Sequence, residues 1–135
     1  MQGEISITVT DGAPGNETIK INHKKFVKGT IKVFFLSDGE FRIAYTPALN
    51  FTGYGKDDDE AGDMLKEIIK DYLETLVNMS PYKAQKELEK YGWEKVSIFS
   101  KKKFENRSFV NKNGVLRNLD LPEDTPITES KLELA

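Results

Sequence analysis

The chain alternates from its first residues. Between Glu4 and Thr10, Ile5, Ile7 and Val9 fall on one side and Ser6, Thr8 and Thr10 on the other, the period of two that a half-buried strand needs. Asp11 to Asn16 is dense in turn formers and breaks that strand. Alternation resumes from Thr18 to Asn22 through Ile19 and Ile21, which reads as an antiparallel partner. His23 to Gly29 is basic and fits either a continuation of that strand or a loop. Thr30 to Tyr45 reads as a hairpin. Ile31, Val33 and Phe35 share one face going out, and Phe41, Ile43 and Tyr45 share one face coming back. Ser37-Asp38-Gly39-Glu40 lies between them, with an Asp-Gly pair suited to a tight turn. Phe34 and Leu36 make the other face of the outgoing strand apolar as well, so that face meets either a second layer or a partner.

The period then changes from two to 3.6. Ala61, Met64, Leu65, Ile68, Ile69, Tyr72, Leu73, Leu76 and Val77 form one broad apolar stripe, opposite Lys66, Glu67, Lys70, Asp71 and Glu74. Asp57, with Glu60 three residues on, has the spacing of a capping box, and Asp58 and Asp59 add negative charge at the positive end of the helix dipole. Ser80-Pro81 opens a second helix, with Ser as cap and Pro at the first helical position, and Gly92 stops it after Tyr91. Trp93 to Phe99 reads as extended and Phe104 to Val110 as a further short strand. From Asn118 the composition turns acidic and reads as a flexible tail.

These elements predict an α+β fold: a small antiparallel sheet of three to four strands packed on one long amphipathic helix, with a C-terminal helix plus short strands. The expected division is a sheet-plus-helix domain over 1–79, a helix and strand extension over 80–117, and an acidic tail over 118–135. For 135 residues, 38% of them hydrophobic, one principal core is the default.

Charge adds a second theme. The net charge of −2 conceals seven basic residues against one acid from Lys95 to Arg117, then five acids against Lys131 from Asn118 onward. That split suits either a nucleic-acid face beside an acidic tail or ordinary solvated surface. Lys101-Lys102-Lys103, flanked by Phe99 and Phe104 and followed by Arg107, has the basic-plus-aromatic pattern that binds single strands through charge and stacking. The same aromatics also suit inward strand positions with the lysines in water. Lys101, Lys102, Lys103 and Arg107 are therefore the candidate nucleic-acid contacts.

Catalytic material is sparse. The chain has no cysteine, which excludes disulfides, thiolate metal sites and thiol chemistry. His23 is the only histidine and has no ligand spacing, and no serine sits in a Gly-x-Ser-x-Gly elbow. The acidic run Asp57 to Glu60 lacks the alternating ligands and glycine of a calcium loop and is better read as a helix cap. Gly53-Tyr54-Gly55 falls short of a dinucleotide fingerprint and reads as a turn, with Tyr54 either an exposed contact residue or a cover for the end of the core. No catalytic residue, metal or cofactor is expected. The first residues lack a basic region followed by an apolar run, and no apolar stretch approaches the roughly 20 residues of a membrane span, so the expected compartment is the cytoplasm.

The central segment, Lys32 to Val77, holds Pro47-x-Leu49, then Gly55, then Glu60-Ala61 opening the helix. On these residues, with the family's spacing from Gly to Glu, it resembles the HicB-like antitoxin domain. Between Leu49 and Gly55 the chain departs from it: Phe51-Thr52 replaces a Gly-Cys-like step and the spacing is one residue shorter. The resemblance implies a degenerate ribonuclease-H-like sheet without the catalytic carboxylates, which neutralises a small messenger-RNA-cleaving toxin by covering its surface. Such proteins often carry a DNA-binding C-terminus; this one matches neither a helix-turn-helix nor a ribbon-helix-helix pattern. The expected function is a non-catalytic regulatory module that sequesters a small toxin-like protein, with Phe34, Leu36 and Tyr54 as candidate partner contacts. A nucleic-acid-binding regulator working through residues 95–117, or a solitary domain with no such partner, is the alternative, and a homodimer is compatible with the sequence.

Overall fold

A computed structural model describes residues 7–11, 17–21, 27–95, 103–106 and 112–134. Its elements, in chain order, are strands β1 (Ile7–Asp11), β2 (Thr18–Ile21), β3 (Val27–Asp38), β4 (Phe41–Thr46) and β5 (Phe51–Gly55), helices α1 (Asp58–Val77) and α2 (Pro81–Glu89), strands β6 (Trp93–Lys95) and β7 (Lys103–Asn106), helix α3 (Lys112–Asn118) and strand β8 (Ile127–Leu134).

Among the described residues, eight strands join one sheet in which every pairing is antiparallel. This corrects the expectation of a three- to four-stranded sheet on one long helix. β3, 12 residues long, is the spine. Along one edge it pairs first with β2 (Ile19 opposite Gly29) and then with β4 (Phe35 opposite Ala44). Along the other it pairs with β8 from Gly29 to Leu36. β1 completes that side through β8, β5 extends β4, and β7 and β6 extend β2.

The largest correction lies at the C-terminus. The segment expected to be a flexible acidic tail contains β8, which runs between β1 and β3 with Leu132 and Leu134 buried. Its charged residues alternate with these leucines and stay solvated or paired on the other face. Lys32 Nζ lies 3.7 Å from Glu129 Oε1, and the Thr30 hydroxyl donates to Glu133 Oε2 at 3.1 Å. Composition suggested disorder, whereas β3 pairs along the whole of β8 and β1 pairs along Ser130 to Leu134.

The local signals act as the sequence implies. Asp57 Oδ1 accepts the Glu60 N–H at 2.8 Å and caps α1; Ser80 Oγ accepts from Lys83 N at 3.3 Å and caps α2. The β3–β4 turn has two central residues, Gly39 and Glu40, with Gly39 at φ 62. The glycine thus occupies the first turn position, which demands positive φ in a type II′ turn. Gly53-Tyr54-Gly55, expected as a turn, is the second half of β5. The reason is close packing: a Cβ on Gly53 would lie 2.5 Å from the Ala61 carbonyl oxygen and one on Gly55 2.5 Å from the Ala61 nitrogen. The glycines let α1 lie directly on the strand.

The main core fills the space between the sheet and α1. Ala61, Leu65, Ile69, Leu73 and Leu76 of the helix meet Ile31, Val33, Phe35 and Ala44 of the sheet, and Leu132 and Leu134 extend the same layer. Each fully buried large side chain contributes roughly 1.5–3 kcal/mol relative to exposure. Trp93 is fully buried in this layer, and its Nε1–H donates to the Ala48 carbonyl at 2.8 Å. On the opposite face a second cluster forms under α3, where Phe34, Leu36, Ile43 and Tyr45 pack with Val115 and Leu116. Among the described residues no helix is long and apolar enough to cross a membrane.

Candidate interaction surface

Strand β5 pairs with β4 on one side and, among the described residues, with no strand on the other. The hydrogen-bond phase follows from the turns. The two-residue turn makes Asp38 and Phe41 a bonded pair, so Ile43 and Tyr45 bond toward β3 and Ala44 and Thr46 toward β5. Thr52 and Tyr54 therefore point their N–H and C=O groups outward. The Tyr54 N–H confirms the phase, donating to the Met64 thioether at 3.2 Å rather than to β4.

Side chains flank this edge on both faces. On the α3 face Tyr54 is 52% exposed and Phe41, at the start of β4, is 59% exposed. On the α1 face lie the exposed Met64 and the half-buried Ile68 and Phe51, whose ring meets that of Tyr72 edge-on at 5.2 Å. Burial and the nearby Glu87 carboxylate push the Tyr72 hydroxyl well above the ordinary tyrosine value. Outside this apolar strip, Glu60, Asp63, Glu67, Asp71 and Glu74 form an exposed acidic stripe along α1. Arg42 ties the start of the helix to the sheet, its Nε donating to Asp58 Oδ1 at 2.6 Å and its Nη1 to Ser37 Oγ at 2.8 Å.

Chemically this edge can accept an extended chain. An edge strand offers a ready ladder, and β5 carries neither the Pro nor the Lys that commonly blunts one. A thioether sulfur is a weak acceptor, so an incoming carbonyl gives the Tyr54 N–H a better partner than Met64 does.

The residues singled out from sequence fall in different places. Tyr54 stands on the open edge. Phe34 and Leu36 are fully buried beneath α3, the second layer their apolar face called for, and offer no surface to a partner. Lys103 is in β7 opposite Lys20 of β2, whereas Lys101, Lys102, Arg107 and His23 lie outside the described residues. Asp57 to Glu60 begin α1, and among the described residues no cluster of three or more acids or histidines is arranged to hold a metal. Sequence reasoning missed Met64 and Phe41 as surface: both sit in apolar stripes, and only the placement of β5 at an edge exposes them.

No protein-family model, no curated protein and no solved structure matches the chain.

Proposed function

We propose that the protein is a non-catalytic binding module of the HicB type, working in the cytoplasm, that sequesters a small basic protein by accepting an extended segment of it along β5. The open β5 edge carries the reading, because its outward Tyr54 N–H is held only by a thioether. The acidic stripe of α1 beside it selects a positively charged partner and, by like-charge repulsion, disfavours a second copy of the same chain. Coexpression with the product of the neighbouring reading frame tests it, with complex formation read by light scattering after gel filtration. Thr52→Pro removes an outward N–H without breaking the ladder to β4 and is expected to abolish the complex while the free chain keeps its circular dichroism. Failure to form a complex, or one indifferent to Thr52→Pro and Met64→Lys, refutes the reading.

A second reading, nucleic-acid binding, has support on α2. Tyr82 is 70% exposed with Lys86 Nζ 5.5 Å from its ring centre, and Lys83 and Lys90 share that helical face. Exposed aromatic and basic groups together suit a single strand. Salt-dependent binding of a labelled oligonucleotide that Tyr82→Ala weakens would support this reading, and binding unchanged by that substitution would exclude α2 from it.

A further inference from the structure

Met64 stands where the outer edge of β5 meets the surface of α1. Its thioether sulfur accepts the outward Tyr54 N–H at 3.2 Å, and the residue is 43% exposed. A two-electron oxidant finds few other targets in the chain. There is no cysteine, and Trp93, the only tryptophan, is fully buried. Of the three methionines, Met79 is half-buried and Met1 lies outside the described residues.

We propose that Met64 is an oxidation site whose sulfoxide locks the Tyr54 N–H and so closes the β5 edge. The oxidant is a peroxide. The thioether sulfur attacks one peroxide oxygen, and the O–O bond breaks as the S–O bond forms. The departing hydroxide takes the proton of the transferred OH and leaves as water. Sulfur gives up two electrons, the peroxide receives them, and sulfoxide reductases reverse the change.

The product is a stronger lock than the thioether. A thioether sulfur is a weak acceptor, whereas oxidation makes the group polar, with its oxygen as the acceptor. The helical neighbours of Met64, three or four positions away, are Glu60, Ala61, Glu67 and Ile68. None of them brings a side-chain donor at neutral pH, so the Tyr54 N–H is the donor already in place. Met64 lies outside the main core, so its change in polarity opens no buried packing. An incoming carbonyl that readily replaces a weak acceptor then has to displace a strong one. That closure rests on reading β5 as a docking edge; the lock on Tyr54 does not.

The test treats the full chain with hydrogen peroxide, mapping oxidised methionines by peptide mass and following the Tyr54 amide by NMR. Met64 is expected to gain its oxygen at least about threefold faster than Met79, in keeping with exposure. The Tyr54 amide proton should move downfield and its exchange with solvent slow by about tenfold, the effect of one added hydrogen bond. Reductases acting on the two sulfoxide epimers should restore both. Met64→Leu should abolish the response, and Met79→Leu should leave it intact. The oxidised chain should melt within about 2 °C of the parent, since no core contact is lost. A Tyr54 amide that exchanges as fast or faster after oxidation overturns the proposal. So does preferential oxidation of Met79, or a lost melting transition.

Where the complex expected above forms, a chain oxidised and freed of peroxide before mixing should bind its partner about tenfold more weakly. Peroxide should not affect binding by the Met64→Leu chain. Equal affinity before and after oxidation overturns the closure. If the untreated chain forms no complex, the docking reading fails and the closure with it, while the Tyr54 exchange still decides the lock.

Discussion

Two glycines on facing surfaces of the α1–sheet interface should respond oppositely to the same added methyl group. At Gly53 the new Cβ would lie 2.5 Å from the Ala61 carbonyl oxygen and 2.7 Å from the Leu65 nitrogen. Both are backbone atoms, so relief requires lifting α1 from β5, and the helix carries Leu65, Ile69 and Leu73 into the main core. A gap of about 1 Å there forfeits a quarter to a half of the dispersion energy of each contact opened, so Gly53→Ala should cost roughly 2–4 kcal/mol. At Gly62 the nearest atoms are side-chain carbons at 3.7 and 3.9 Å, an ordinary contact distance. Gly62→Ala therefore keeps the helix-propensity gain and should stabilise by roughly 0.5–1 kcal/mol. Urea unfolding followed by fluorescence of the buried Trp93 measures both. With a slope of about 1.5 kcal/mol per molar, the midpoint should fall by about 1.5 M or more for Gly53→Ala and rise by about 0.5 M for Gly62→Ala. A Gly53→Ala midpoint within about 0.3 M of the parent, or a lowered one for Gly62→Ala, would refute the packing argument.

Ending the chain after Pro126 removes the strand that joins β1 to β3; the shortened protein is expected to lose cooperative thermal unfolding by circular dichroism, where loss of a flexible tail would change nothing. Thr46 Oγ1 is buried with no hydrogen-bond partner among the described residues, so Thr46→Val should raise stability by about 1 kcal/mol in urea melts. Burial raises the Glu17 carboxyl above its ordinary value near 4.5, outweighing the Lys32 N–H that donates to it at 2.9 Å. The folded state thus holds this proton more tightly than the unfolded chain, and the group's contribution falls as pH rises from the ordinary value through the raised one. Glu17→Gln should flatten that decline, so its stability gain over the parent should be larger at pH ~7 than at pH ~4; a gain independent of pH would refute it.

Much of the centre was legible along the chain. The β3–β4 turn and the Asp57 and Ser80 caps are decided within a few residues, by backbone preference and by hydrogen bonds to neighbouring N–H groups, whereas α2 ends at Glu89, two residues before the Tyr91 expected. Of the candidate partner contacts, Tyr54, an aromatic between two glycines, stands exposed on β5. Phe34 and Leu36 could not be distinguished from it by pattern, since an apolar second face looks the same whether α3 or another protein covers it.

The β3–β4 turn, the helix caps and the strand alternation follow from residues close together along the chain. Which strands lie side by side follows from the fold. β8 shows why: Leu132 and Leu134 alternate with Lys131 and Glu133 as a strand should, but its hydrogen-bonding partners, Ile7 to Asp11 and Gly29 to Leu36, lie about a hundred residues away. Strand pairing is a bond between distant segments, and short-range composition says nothing about it. Strand order likewise leaves β5, among the described residues, with no strand beyond it, and so determines which ordinary side chains become a surface.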